Sequence, residues 1–516
     1  MLRFGEYRPD IPPILNDGLT RAEGVLPKNA GYQAIPTYSA ITTTGLDARP
    51  QGGYSVRNPS SVGDTYLYVG DATKLYQLNG SSWSDVSGAT YTIAAADRWE
   101  FAVWGNQLIA TDFADVMQVI TIGSSNFAAL SGSPPQARHI AVVNNFVVVG
   151  NTFDGVDGNQ PQRVRWSGIN DETSWTVSAT TQADFQDLEN NGGWVQRIIG
   201  GDYGIIFQEF AITRMTYIGS PLVFQFDQLE LERGAYAPGG VVAIGDNIAY
   251  LASDGFFVFD GRQSIPIGDG KLNDAFFATS GPLAVDRNYT DRINASIYPN
   301  NHVIAWSYSS VNADPEGIND IILFYNYSPA ATTRWSVLRT NTNDANPGST
   351  DVNHYLLAAP LSKGYTLEEL DTISTSIDAL PFSLDSPVWT GQQKTLGLID
   401  ADYNLNFFDP QSNTSYYDAF LETGEKQLYK GGRSSITKIR PFVDDPSGNA
   451  TISVAVSGRD TEDTTASFSN TVTLNSSGFA NVRSNSRFHR AFVKIENGFN
   501  HAEGIDVIQS TSTGQR

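Results

Sequence analysis

Apolar residues along the chain are concentrated in short runs, and many runs begin directly after a turn dipeptide of Gly, Asn or Asp. Such dipeptides tolerate the positive φ of tight turns, and β-branched or aromatic residues favour strands on both sides. A second apolar run often precedes the turn, as at residues 140–143 before Asn144-Asn145. The pattern therefore predicts β-hairpins. Eight copies are marked by Asp64, Asn106, Asn145, Asp202, Asp246, Asn300, Asn353 and Asp402.

The markers are 39 to 57 residues apart, which is typical of propeller blades or another repeat array. We expect an all-β protein with an irregular β-propeller-like body of about six to eight hairpin repeats. Several repeats end in a Trp, and Trp83, Trp175 and Trp335 are predicted to wedge between neighbouring blades. Two alternatives stay open: hairpins recur in any all-β protein, and a β-solenoid would repeat at roughly half this period.

The chain divides into three predicted parts. Residues 1–60 are rich in proline, which blocks helix and central strand, and are predicted to form an extended N-terminal arm. Residues 61–430 hold the repeats, with one short helix expected from Thr366 to before Pro381. Residues 431–516 show alternating strand patterns that predict a β-sandwich-like unit with a mobile tail, although these strands could equally complete the propeller.

Composition narrows the class of protein. Charged residues make up 17% of the 516 residues, below the roughly 25% of ordinary soluble domains, and uncharged polar residues replace them. A surface of this kind suits a protein held in an assembly. There are no cysteines, so disulfides and thiolate metal sites are excluded. The N-terminus lacks a signal-peptide core and no run is long enough to span a membrane, so we expect a chain made in the cytoplasm.

The search for chemistry gives no catalytic, cofactor-binding or metal-binding residues. Nucleophile-elbow, Walker, zinc-protease and dinucleotide motifs are absent from the sequence. The five histidines are scattered and are interpreted as packed or solvated residues: His139, His302, His354, His489 and His501. Residues 154–159 combine two carboxylates with two glycines, which leaves a Ca²⁺ loop as an alternative to an ordinary turn. Ser253-Asp254-Gly255 only approaches a sialidase box and is interpreted as a turn, so we predict that the protein is not an enzyme.

The formal charge of −22 argues against a surface built to grip nucleic acid. Ten Lys/Arg and seven Asp/Glu lie between Glu425 and Glu496, so that segment carries +3 and the remainder −25. Opposite charges help to fix the orientation of partners, so this segment of one subunit could dock on an acidic face of another. A solvated surface of mixed charge is the equal alternative.

Three parts of the sequence resemble tail hub and nozzle proteins of tailed bacteriophages, in particular those with short tails. They are the proline-rich opening at residues 10–18 and 31–36, a later stretch at residues 377–389 with the hairpin at 396–408, and residues 487–495 with 501–507. The resemblance implies a structural virion protein made in the host cytoplasm. It also implies a homo-oligomeric ring, with a hexamer carried over from the family, that continues the DNA conduit below the portal. Its partners would be the portal or an adaptor and the tail fibres or spikes, with DNA passing through without sequence-specific binding and no cofactor.

Two rival functions remain. A receptor- or carbohydrate-binding tail propeller would place exposed Trp and Tyr over sugar faces. A glycan-cleaving propeller would hold a close pair of carboxylates in its central pocket. The conduit hypothesis predicts neither; it predicts closed rings with an acidic lumen.

Overall fold

The computed structural model describes residues 2–59, 64–189, 191–314, 316–340, 353–360, 376, 394–408, 415–430, 432–446, 448–461, 464 and 467–514. Within these ranges the chain forms 39 β-strands, one five-residue α-helix and three 3₁₀-helices. The all-β prediction is therefore confirmed.

The N-terminal segment contributes short strands to distant parts of the fold. Its strands are β1 (Leu2–Arg3), β2 (Leu19–Glu23), β3 (Val25–Pro27), β4 (Tyr32–Ala34) and β5 (Ser39–Ala40). Each pairs with a strand much later in the chain or with its immediate neighbour, as described below.

Five four-stranded antiparallel sheets follow in direct succession, and we name them blades A to E. Blade A consists of β6 (Gly52–Arg57), β7 (Thr65–Gly70), β8 (Leu75–Asn79) and β9 (Ser82–Asp85). Blade B consists of β10 (Glu100–Trp104), β11 (Gln107–Thr111), β12 (Gln118–Thr121) and β13 (Ala128–Ala129). Blade C consists of β14 (Gln136–Val143), β15 (Phe146–Asp154), β16 (Gly158–Trp166) and β17 (Asp184–Asp187). Blade D consists of β18 (Val195–Ile199), β19 (Gly204–Gln208), β20 (Ala211–Gly219) and β21 (Val223–Leu231). Blade E is β22 (Val242–Ile244), β23 (Asn247–Ala252), β24 (Gly255–Phe259), β25 (Ser264–Pro266).

The predicted turns lie between the first and second strands of these blades. Gly105, Asn144 and Gly245 have φ values of 58°, 53° and 61°, in the left-handed region that such hairpin turns need. The strands after these turns are almost wholly buried, because they lie inside a blade with a neighbour on each side. The hairpin signature thus marks the second strand of each of these blades.

The remaining two positions of the ring are built differently. Blade F is β26 (Asn294–Tyr298), β27 (Val303–Tyr308), β28 (Ile321–Asn326) and β29 (Trp335–Arg339). The helix α1 (Asn273–Phe277) and the 3₁₀-helices Pro238–Gly240, Arg287–Arg292 and Pro299–Asn301 flank blades E and F. Blade G is β30 (Asn353–Pro360), β31 (Lys394–Asp400), β32 (Leu405–Phe407) and the N-terminal strand β5, which pairs with β32 and closes the ring.

The last two sequence markers belong to one blade and not to two. Asn353 begins the first strand of blade G, and Asp402 precedes its third strand. In blades A to E the first and second strands follow one another after a short turn, whereas in blade G residues 361–393 lie between them in the sequence. Within the described residues, the ring consists of six separate four-stranded sheets, and blade F occupies a seventh position between blades E and G.

The C-terminal strands form a sandwich that is joined to the propeller. They are β33 (Ala419–Thr423), β34 (Arg433–Asp444), β35 (Thr451–Arg459), β36 (Val472–Thr473), β37 (Ala480–Ser486), β38 (Phe488–Glu496) and β39 (His501–Gly514). One sheet has the order β3-β4-β39-β34-β37 with β1 on β39, and the other continues blade F as β26-β27-β28-β29-β2-β33-β38-β35-β36. Ile436, Val454 and Val493 from the two sheets share one buried cluster.

In the part of the chain that the structure describes, seven hydrophobic clusters hold the ring together, one at each junction between neighbouring positions. They join A to B, B to C, C to D, D to E, E to F, F to G and G to A. Trp175 is buried at the B–C junction, and Trp335 lies at the E–F junction. Trp83 is half-buried against the G–A cluster. All three therefore lie between blades, as predicted from their positions at the ends of repeats.

The segment 1–60 was predicted as an extended arm, and its strands between residues 2 and 59 are distributed among four sheets of the folded body. Their prolines keep the strands short, and the strands gain partners only from distant parts of the chain. The first strand of blade A, Gly52–Arg57, also lies before the predicted boundary at residue 60. The helix predicted from Thr366 falls outside the described residues.

Candidate functional site: the central channel

The first strand of every blade faces the propeller axis, and together these strands line a central channel. The channel contains a cavity of about 560 Å³, within the size range of small-molecule sites. Each first strand is an edge strand of its blade, so it presents backbone groups without sheet partners to the cavity. The seven strands contribute mainly apolar side chains to the lining.

Three cationic side chains are the only charged groups among the described residues that line this cavity: Arg98, Arg197 and Lys394. Arg98 precedes the first strand of blade B, Arg197 lies on the first strand of blade D, and Lys394 begins the second strand of blade G. The chain as a whole carries −22, so a lining with only positive charges departs sharply from the average of the protein.

A buried carboxylate lies behind one of these cations. Glu100 is 3% exposed, and its carboxylate forms an ion pair with Arg197 and lies 3.0 Å from Nδ1 of His139. Burial alone would raise the pKa of Glu100, but the charges of Arg197, His139 and Arg98 lower it to about 2. Glu100 is therefore ionised at neutral pH. The three lining cations and this one carboxylate leave two positive charges at the channel, without counting His139 behind it.

The other two cations, Arg98 and Lys394, have few partners among the residues that the structure describes. Nη2 of Arg98 donates to the Tyr355 hydroxyl at 3.3 Å, while Nε and Nη1 are buried without an acceptor in the described part of the chain. The guanidinium fits because residue 239 is glycine, since a Cβ there would collide with Nη1. Burial lowers the pKa of Lys394.

Residues 154–159, for which a Ca²⁺ loop stayed open as the alternative to an ordinary turn, form the hairpin turn between β15 and β16. Asp154 accepts hydrogen bonds from the amides of Val156 and Asp157 at 2.8 and 2.7 Å. Its second oxygen pairs with Arg165 at 3.1 Å, and Asp157 pairs with Arg163. Each carboxylate already has a cationic partner, and no cluster of metal-ligating residues occurs within the described ranges.

Most histidines have structural partners, as the sequence suggested. His139 contacts Glu100, His489 lies between the hydroxyls of Ser434 and Ser484 at 2.8 and 2.9 Å, and His501 contacts the Ala30 carbonyl. His302 lies in the turn between β26 and β27, with φ 54°. The side chain of His354 lies outside the described part.

The Ser253-Asp254-Gly255 segment forms the turn between the second and third strands of blade E, as expected. Asp254 pairs with Arg233 at 2.9 Å, and Gly255 adopts φ 143° where any Cβ would collide with Asn273. The turn leads directly into the buried Phe257 and Phe259. Its role is to position that strand.

The basic C-terminal segment is largely neutralised within the chain. Lys494 pairs with Asp418 at 2.9 Å, Arg459 with Glu425 at 2.8 Å, and Arg490 with Glu422. Two of these acids lie just before the segment counted as +3. The exposed cations that remain include Arg440 and Arg483 on the outer face of the six-stranded sheet.

Exposed apolar residues are concentrated on blade D. Six large side chains at least 41% exposed lie on or beside its strands: Trp194, Tyr203, Phe210, Ile218, Leu222 and Leu231. The outer face of the six-stranded sheet also exposes Phe442 and Ile508, at 36% and 44%. These two surfaces are the main candidates for contacts with other molecules.

Sequence reasoning named no site residues and missed the channel cations. Arg98, Arg197 and Lys394 are isolated in sequence, and neither their spacing nor their neighbours form a motif. The available signal was a basic residue in or next to the first strand of two different blades. That signal indicates a shared site only when the two strands are known to face one axis.

Comparison with known proteins gives matches of low similarity. No family model matches, and no curated protein matches. Among solved structures, U3-55K aligns with 8% identity and a TM-score of 0.38 over 62% of this chain and 88% of that chain. The computationally designed Ika8 protein gives 9% and 0.37 over 72% and 99%, and Chaetomium thermophilum Raptor gives 8% and 0.41 over 72% and 29%. Among the described residues, no helix has the length and hydropathy to span a membrane.

Proposed function

We propose that the protein is a structural virion protein of a bacteriophage tail that forms a homo-oligomeric ring, the hub or nozzle, continuing the DNA conduit below the portal. In this role it is not an enzyme and needs no cofactor. It contacts the portal or an adaptor and the tail fibres or spikes, and DNA passes through the ring without sequence-specific binding.

The observation that carries the proposal is the meeting of the chain ends. The segments that resemble tail hub proteins at residues 31–36 and 501–507 pair through strands β4 and β39, at Tyr32 and Ala502. The Glu425 amide donates to the Pro13 carbonyl at 2.6 Å, which ties the proline-rich opening to the same unit. Residues 487–495 lie on the facing sheet of the sandwich. Pieces far apart in sequence therefore build one structural unit, while residues 377–389 lie outside the described part.

A rigid link between this unit and the propeller suits a subunit that must bear load. The nine-stranded sheet runs from blade F into the sandwich, and β5 closes blade G from the N-terminal side. An acidic protein also repels the phosphates of passing DNA, so it would not retain the genome during ejection.

Ring formation requires two unlike faces that meet between neighbouring subunits. The outer face of the six-stranded sheet offers Arg440 and Arg483 beside the exposed Phe442 and Ile508. A face of the acidic body on the neighbouring subunit would complement this one, because opposite charges steer and orient association.

The test is the native mass of the purified protein by light scattering, with and without portal or adaptor. We expect a closed oligomer, six subunits by the resemblance, and a shift to monomer when Arg440 and Arg483 are both replaced by Glu. The matched control is Arg262→Glu, a charge reversal at an exposed turn of blade E. A chain that stays monomeric with every partner would contradict the proposal. An oligomer unaffected by the double reversal would exclude this face as the contact.

One observation favours the carbohydrate-binding alternative. The side chain of Trp194 is 52% exposed and lies next to the exposed Phe210. The backbone amide of Trp194 donates to the Glu209 carboxylate at 3.0 Å, and its carbonyl accepts from the Glu209 amide at 3.1 Å. An aromatic face beside a carboxylate can bind a sugar. Binding of the monomer to a glycan array, lost in Trp194→Ala, would favour this function. The glycan-cleaving alternative has no comparable support in the described channel lining, whose charged residues are all cationic.

A further inference from the structure

The central channel of each subunit has the chemistry of an anion site. Its cavity is lined by Arg98, Arg197 and Lys394, and the only carboxylate in contact with these cations within the described part of the chain is Glu100, which lies behind Arg197. The described lining itself carries no acid. Such a surplus of positive charge inside a strongly acidic protein needs a compensating anion or costs free energy of folding.

Unpaired donors point to the same conclusion. Nε and Nη1 of Arg98 and Nε of Arg197 are buried without acceptors among the described residues. Buried donors are normally satisfied, and these three are closed off from the cavity itself, so they add to the uncompensated positive charge that an anion in the cavity would offset. Guanidinium groups bind phosphate and carboxylate oxygens in particular, often with two parallel hydrogen bonds.

Further positive charge lies close to Arg98. Burial lowers the pKa of Arg49, and the positive charges of Arg292 and Arg98 lower it further, while Asp291 acts in the opposite direction. Arg49 is thus close enough to Arg292 and to Arg98 to be repelled by both. An anion bound at Arg98 would relieve that repulsion.

Neutral donors complete the site. Tyr355 receives a hydrogen bond from Arg98 through its hydroxyl, whose proton stays available to a ligand. Tyr54 is 38% exposed, lines the same cavity and stacks on Phe101 with ring centroids 6.2 Å apart. The edge strands add backbone amides around the axis.

We infer that the channel of each subunit binds one small oxyanion, a phosphate or carboxylate compound, held between the guanidinium groups of Arg98 and Arg197 with Lys394 as a further charge. The cavity volume suits a small molecule and not a nucleic-acid strand or a folded partner. This site is independent of the proposed ring, because all its residues belong to one chain.

The test is isothermal titration calorimetry in phosphate-free buffer, with inorganic phosphate and, separately, succinate as probes at constant ionic strength set by sodium chloride. We expect saturable binding of one anion per chain. Arg98→Gln should weaken it about tenfold or more, the effect of losing a hydrogen bond to a charged group. Arg262→Gln, which removes one exposed arginine far from the channel, should leave the affinity unchanged.

A second variant guards against misfolding. Lys394→Met removes a charge while keeping a long apolar stem, and it should also weaken binding with an unchanged circular dichroism spectrum. Saturation by phosphate alone would identify a phosphate compound, and saturation by succinate alone a carboxylate compound. No saturable binding of either probe, or affinities equal in wild type and both channel variants, would overturn the inference.

Discussion

Trp335 is predicted to be a main determinant of the junction between blades E and F. Its side chain is fully buried, and its ring lies 4.7 Å from Tyr325, 5.4 Å from Phe256 and 5.9 Å from Trp306, between centroids. Its Nε1 donates to the carbonyl of Ile267, just after the last strand of blade E, at 3.0 Å. The residue therefore combines packing in blade F with a hydrogen bond to its neighbour.

Trp335→Ala should lower the free energy of unfolding by about 3–5 kcal/mol, the range for truncating a large buried aromatic side chain. Trp335→Phe keeps most of the packing but leaves the Ile267 carbonyl without its donor, so we expect a loss of about 1–3 kcal/mol. The control is Trp194→Ala on blade D, where the side chain is 52% exposed and the loss should stay within about 0.5 kcal/mol.

Urea unfolding followed by far-ultraviolet circular dichroism measures all three variants, because that signal does not depend on the replaced indole. The order of stability should be wild type and Trp194→Ala together, then Trp335→Phe, then Trp335→Ala. Equal losses in the two alanine variants would refute the assignment of Trp335 to a stabilising junction between blades.

Three further predictions concern buried charge and close backbone packing. Glu100→Gln should lower the free energy of unfolding by about 3 kcal/mol at pH 7, because the pKa of Glu100 falls from 4.5 to about 2 on folding. This stabilisation is complete above pH 4.5 and fades towards pH 2, so a loss of stability that does not depend on pH in urea titrations would contradict the prediction. Asp112→Asn should stabilise the fold by up to about 3 kcal/mol at pH 8 and not below pH 4, because burial raises the pKa of Asp112 from 3.8 to about 6. An unchanged melting temperature of the variant at pH 8 would contradict this prediction. Gly132→Ala should be far more destabilising than Gly219→Ala, because a Cβ at residue 132 would collide with the Thr173 carbonyl while a Cβ at residue 219 would meet nothing. The two glycines have nearly equal φ, 85° and 83°, so the backbone strain of an alanine is the same at both. Equal melting temperatures of the two variants would count against the close approach at residue 132.

The sequence predicted the local part of this fold well. Hairpin turns such as Gly105-Asn106 and Asn144-Asn145 depend on neighbouring residues, so the dipeptide and its flanking apolar runs are sufficient to locate them. The same reasoning divided blade G into two repeats, because residues 361–393 intervene between its first two strands.

Long-range pairing could not be predicted in the same way. The nine-stranded sheet depends on β2 lying parallel to β29 at Glu23 and Val337 and antiparallel to β33. Nothing in a proline-rich N-terminal segment specifies partners more than 300 residues away. In β34, register shifts between Ile436 and Lys438 allow Ile436 and Ile439 to face the same core, which a strict alternation would not give.

The channel was unpredictable for a related reason. Arg98, Arg197 and Lys394 come from blades B, D and G and meet only because the first strands of the ring converge on one axis. Single basic residues in otherwise ordinary strands carry no signal by themselves. Their joint meaning depends on the closed ring.

Electron microscopy of the native particle tests the central claim most directly. The account predicts closed rings with a central hole, built from copies of this chain, with the sandwich of one subunit against the body of the next. Particles that are single propellers at every concentration, with portal or adaptor present, would contradict it.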